Sequence, residues 1–208
     1  MFDVIVIGGR VAGSATAMLL ASKGFRVLVL ERGHFPSDTI STHQIQLKGV
    51  ACLRRWRLLE KLEAIPTPAA KRVRFDAGFG ALDGEFPEFE AVNAVYGPRR
   101  TYLDKVLVDA ARQAGAELRE EFVVDRVLMD GGRVCGVAGH DWSGNIIEEK
   151  ATLVIGADGK HSMLAAAVQA PQYDLLPAAT CAYYSYFSGV PLVGGMIYSQ
   201  PRRAIGAR

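Results

Sequence analysis

Apolar and polar positions along the chain follow two rhythms. Residues 2–7 (Phe-Asp-Val-Ile-Val-Ile) are almost unbroken by polar side chains and stop at Gly8-Gly9, as a strand buried on both faces would. Residues 11–23 are rich in Ala, Leu and Met and read as a helix, with Gly24 placed for a left-handed C-cap. Residues 26–30 (Arg-Val-Leu-Val-Leu) read as a second buried strand ending at Glu31. A strand, helix and strand in this order form a parallel, right-handed crossover.

Further on, residues 33–42 are polar and turn-rich and read as a loop. Apolar positions 47, 50, 51, 53, 58, 59 and 62 predict one helix over 47–62, with Arg54, Arg55 and Arg57 on its solvated face. Residues 65–98 change character, with prolines, glycines and short β-like pieces at 73–75 and 91–96, and look like an excursion out of the first domain. Thr101-x-x-Asp104 suggests a capping box for a helix that carries Leu103, Val106, Leu107, Ala110 and Ala114 and stops at Gly115. A β-meander follows over 122–129, 133–139 and 146–150, turning at Asp130-Gly131-Gly132 and Ser143-Gly144-Asn145. A separate apolar strand is expected at 153–155, and an aromatic, β-prone tail carries Tyr183, Tyr184, Tyr186 and Phe187.

Composition narrows the class. The 208 residues are 50% hydrophobic and 22% charged, with a net charge of +2, so no strong field points to nucleic acid. No run approaches the about 18 apolar residues of a membrane span. Cys52, Cys135 and Cys181 are far apart, which argues against a disulfide framework or a metal site and fits a cytoplasmic protein. His34, His140 and His161 have no triad or ligand spacing.

The first chemistry-bearing segment runs from Val4 to Glu31. A glycine turn between a buried strand and a helix lets backbone N–H groups approach a pyrophosphate, and an acid ending the next strand can accept from both ribose hydroxyls. Here the turn is Gly8-Gly9-Arg10-Val11-Ala12-Gly13 and the acid is Glu31. Arg10 stands where a glycine normally leaves room for the pyrophosphate, and its guanidinium is expected to reach a phosphate instead. The second segment, Gly156-Ala157-Asp158-Gly159, follows an apolar strand and would deliver a carboxylate to the same sheet edge.

Together these segments resemble the two fingerprints of FAD-dependent oxidoreductases of the aromatic-hydroxylase and geranylgeranyl-reductase superfamily. Arg100-x-x-Leu103-Asp104, Phe122-Val123-Val124 and the loop from Pro36 to His43 extend the resemblance. It implies an α/β, Rossmann-like FAD-binding domain (a parallel sheet with a β-meander) from residues 1–70 and 99–170, and part of a β-rich substrate domain from 71–98 and 171–208. It implies that Gly8, Gly9, Arg10, Val11, Ala12 and Gly13 hold the pyrophosphate and Glu31 the ribose. Asp158 and Gly159 would lie at the ribityl–pyrophosphate end. Arg32 and Arg100 would lie along the phosphates, Val124 beside the adenine and His43 towards the flavin ring, on the resemblance alone.

The implied activity is an NAD(P)H-dependent flavin monooxygenase acting on an apolar or aromatic small molecule, with NADH or NADPH as electron donor. The alternatives are a geranylgeranyl-reductase-like alkene reductase and an FAD-binding fragment without turnover. An NAD dehydrogenase is disfavoured by the Arg100 helix and the meander. The family's later Gly-Asp flavin segment is not found after Ser162, so the chain is expected to be C-terminally truncated, with an unclosed sheet open to self-association.

Overall fold

The computed structural model describes residues 1–41, 44–177, 181, 183–185, 189 and 195–199. Two compact units emerge, one from residues 1–40 and 100–175, the other from 41–99 and the described residues beyond 175. The sequence reading placed 41–70 with the nucleotide-binding domain, whereas the contacts place them in the second unit.

The first unit opens with β1 (Phe2–Ile7), α1 (Val11–Ala21) and β2 (Val27–Leu30). All four residues of β2 and the last four of β1 are buried. The chain then crosses the second unit as α2 (Leu47–Arg55), α3 (Leu59–Glu63), β3 (Ala69–Ala70), β4 (Arg72–Asp76), β5 (Ala81–Glu85) and β6 (Val95–Tyr96). It returns as α4 (Arg100–Gln113), β7 (Glu117–Arg119), β8 (Phe122–Asp130), β9 (Arg133–Asp141), β10 (Ile146–Gly156) and α5 (Met163–Ala167). In the second unit β11 (Gly195–Ser199) pairs parallel with β4.

Three expectations are corrected. The single helix over 47–62 is two helices, because Arg57 takes a left-handed φ of 59°. The Arg57 N–H donates to the Arg54 carbonyl and the Leu58 N–H to that of Leu53, a Schellman ending that stops α2. The expected capping box does not form: α4 begins at Arg100, so Thr101 lies inside its first turn, and Asp104 pairs with arginines instead. The strands expected at 146–150 and 153–155 are one strand, β10. Its first half runs antiparallel to β9 and its second half parallel to β1.

That shared strand joins crossover and meander into one six-stranded sheet, ordered β7-β2-β1-β10-β9-β8. Ile5, Ile7, Leu28, Leu30, Phe122, Val137 and Ala151 form the core on one face. Alternation turns Val4, Val6, Val27 and Val29 to the other face, where α1 packs on β1 and β2 and against α4. The turn joining β8 to β9 holds Gly131 and Gly132 at φ of 53° and 80°, which suits a tight hairpin.

Candidate functional site

β1, β2 and the parallel half of β10 end at one edge of the sheet, where open parallel sheets collect ligands. A cleft of about 530 Å³ opens there, and its lining among the described residues belongs to the first unit. Its walls include Gly8, Arg10, Val11 and Ala12 from the turn and start of α1, and Glu31 and Arg32 after β2. Arg100, Val124, Asp158 and Gly159, also expected from sequence, line it too, whereas Gly9 and Gly13 do not.

The turn is built around absent side chains. Gly8 has a φ of 96°, and a Cβ there would lie 2.5 Å from the Ala157 carbonyl oxygen. A Cβ on Gly13 would lie 1.7 Å from the Gly8 carbonyl oxygen, so glycine alone lets α1 begin against the turn. The buried Ser14 hydroxyl donates to the Gly9 carbonyl and braces the loop from inside. Arg10 is the N-cap of α1 but makes no side-chain cap bond, and the first turn holds no acidic residue. The positive end of an eleven-residue helix therefore meets the cleft with no carboxylate of its own first turn and no cap side chain set against it.

Glu31 is 5% exposed, and each of its carboxylate oxygens accepts one backbone N–H, from Gly9 at 2.7 Å and Gly33 at 2.9 Å. A carboxylate oxygen has two acceptor positions, so each keeps one for a ligand hydroxyl. Across the cleft, Asp158 Oδ2 accepts the Met163 N–H at 2.7 Å, while buried Oδ1 has no hydrogen-bond partner among the described residues. A buried acceptor left unpaired is costly, and a donor on a ligand in the adjoining cleft would satisfy it. The uncapped helix, the half-used Glu31 and the orphaned Asp158 oxygen fit a dinucleotide with ribose hydroxyls and a pyrophosphate.

Arg10 does more than sequence alone indicated. Its guanidinium donates to Asp104 at 2.8 Å and to the Ser37 hydroxyl at 3.2 Å, and lies 5.7 Å from the Phe35 ring centroid. Asp104 also accepts from Arg100, at 2.7 Å and 3.0 Å. Gly9 and Gly13 serve the turn's architecture, and His43 lies outside the described residues. Sequence reasoning quoted Asp104 in the Arg100-x-x-Leu103-Asp104 motif but gave it no site role, for which the Arg100–Asp104 spacing of four on one helix was the available signal. It missed Thr39, Lys160 and His161 on the cleft wall, the last two directly following Asp158-Gly159.

A family profile described as FAD binding domain matches residues 1–175. The chain is 33% identical over 190 residues to digeranylgeranylglycerophospholipid reductase 2 of Methanopyrus kandleri, covering 88% of this chain and 44% of the reductase. It is 31% identical over 210 residues to the probable electron transfer flavoprotein-quinone oxidoreductase YdiS of Escherichia coli, covering 96% of this chain and 44% of that protein. Among solved structures, the myxobacterial chondrochloren halogenase CndH, described as a variant of FAD-dependent halogenases, superposes with a TM-score of 0.70 at 26% identity. That match covers 78% of this chain and 38% of the halogenase. The chain thus spans less than half the length of these curated relatives. With residues 1–175 matched and the crossover, glycine turn and acid in place, the chain belongs to the FAD-binding domain family of FAD-dependent oxidoreductases.

Proposed function

We propose that the first unit binds FAD with the adenosine ribose on Glu31 and the pyrophosphate at the start of α1, between Gly8 and Gly13. Arg32 and Arg100 serve the phosphates, Val124 the adenine, and Asp158 with Gly159 the ribityl–pyrophosphate end. The observation that carries this reading is Glu31, a buried carboxylate fixed by two backbone N–H groups with one acceptor position left on each oxygen. Its charge also disfavours a 2′-phosphate at the same place. Bound FAD supplies the electron-transfer chemistry, and the protein binds it, orients it and keeps water out.

The activity proposed is that of an FAD-dependent oxidoreductase taking electrons from NADH or NADPH and acting on an apolar small molecule. Hydroxylation was the first expectation from sequence. Two relatives above 30% identity are named as a lipid reductase and a quinone oxidoreductase, which favours reduction. The p-nitrophenol 4-monooxygenase of Pseudomonas putida, at 21% identity and TM-score 0.70, supports the fold alone. In the second unit, Phe75, Leu82 and Tyr198 form a cross-strand row of exposed apolar side chains, a surface suited to an apolar substrate. A second reading is FAD binding without turnover by these 208 residues, kept because they span only 44% of the reductase.

The test is reconstitution with FAD followed by anaerobic addition of NADH or NADPH. Yellow protein that bleaches, then recovers colour with a quinone or polyprenyl alkene, supports the reductase reading. Recovery only with oxygen and an aromatic substrate supports hydroxylation. Colour without bleaching supports the second reading, and protein that takes up no FAD overturns the proposal.

A further inference from the structure

Asp104 is fully buried, yet two cations from different elements converge on it. Arg10 arrives from the turn before α1, and Arg100 from one helical turn earlier on α4. A carboxylate taken out of water persists as an anion only when paired and hydrogen-bonded, and three charge-assisted bonds of 2.7–3.0 Å supply both. Two guanidiniums and one carboxylate leave a net charge of +1, and both arginines, though not Asp104, line the cleft. We propose that Asp104 is a positioning residue for the pyrophosphate: it holds Arg10 and Arg100 as a preset cationic pair. This rests on the FAD reading above.

The physical reason is entropic. Free arginine side chains lose rotamer freedom when they close on a phosphate, which subtracts from affinity. Asp104 moves that loss into folding, so the pair meets the ligand already ordered. It also explains how Arg10 can stand in a turn position usually left bare. Anchored to Asp104 and Ser37, its side chain is drawn towards α4 and its charge stays at the cleft. Simple electrostatics predicts the opposite effect of Asp104: an anion near a dianionic pyrophosphate repels it, and removing the anion would tighten binding.

Titration of FAD and of adenosine into the wild-type chain, Asp104→Asn and Arg10→Lys separates these views. Asp104→Asn is expected to weaken FAD about tenfold and to leave adenosine, which lacks phosphate, within about twofold. Arg10→Lys keeps the charge but loses the fork that spans Asp104 and Ser37, and is expected to weaken FAD about fivefold. Equal or tighter FAD binding by Asp104→Asn, or an equal loss for adenosine, overturns the proposal. Should Asp104→Asn fail to fold, wild-type FAD affinity in Arg10→Lys overturns it. Absence of FAD binding by the wild-type chain overturns the FAD reading itself, and shows before any variant is compared.

Discussion

Gly8 and Gly13 meet across the turn with no space for a side chain on either, and the two positions differ in kind. Gly8 carries a positive φ as well as a steric limit, so alanine there would both strain the backbone and press on the Ala157 carbonyl. Gly8→Ala is expected to cost about 3 kcal/mol of stability and to abolish FAD binding, read from thermal melts with and without the cofactor. At this scale the sequence was informative about placement: the glycine turn at Gly8 and Gly13 was legible from spacing, as was the position of Glu31 after β2, and Asp158 was legible only beside that first motif. Arg10 was legible as a charge in an unusual place, but its destination was not, because Asp104 lies 94 residues away. Asp104 was quoted in the Arg100-x-x-Leu103-Asp104 motif, but its pairing with two arginines was masked by a helix-cap pattern that fits equally well on paper.

Among the described residues, four of the five helices end alike. Gly24 closes α1, Arg57 closes α2, Gly115 closes α4 and Gln169 closes α5, each in the left-handed region and each with paired N–H donations back into the last turn. The two glycine endings were visible in sequence, whereas the arginine and glutamine endings were not, since glycine is the usual signal for that conformation. The helix over 47–62 was therefore read straight through Arg57. Replacing Arg57 by glycine relieves the left-handed strain and is expected to stabilise the chain by about 1 kcal/mol, measured by denaturant unfolding. On β6, burial and the Glu63 carboxylate push the Tyr96 hydroxyl up to about 12 from the usual value near 10. A raised folded pKa stabilises fully below pH 10 and the benefit is lost as pH rises from 10 towards about 12. Unfolding titrations of Tyr96→Phe should lack this alkaline loss, and an identical loss in the variant would assign it elsewhere.

At the scale of the molecule, every described residue lining the cleft belongs to the first unit. FAD at about 100 times its dissociation constant should add about 2.7 kcal/mol to the stability of the state that binds it. Hydrogen exchange should show that gain as slower exchange in β1, β2 and β10, with β4 and β5 unchanged; equal protection of β4 and β5 would contradict the assignment. The α/β class and the crossover-plus-meander plan were legible because both are local patterns. The assignment of 41–70 was not, because it depends on which unit those residues contact. β10 has a further consequence, for the order in which the protein is made. β1 leaves the ribosome well before its second neighbour in the sheet, residues 151–156, which is translated more than a hundred residues later. Pairings this distant in sequence slow folding, and the strand that waits is exposed meanwhile. The meander hairpins can form as they emerge, but β1 stays open along one side until β10 arrives, so translation past Gly156 is the step at which the nucleotide turn gains its fixed floor.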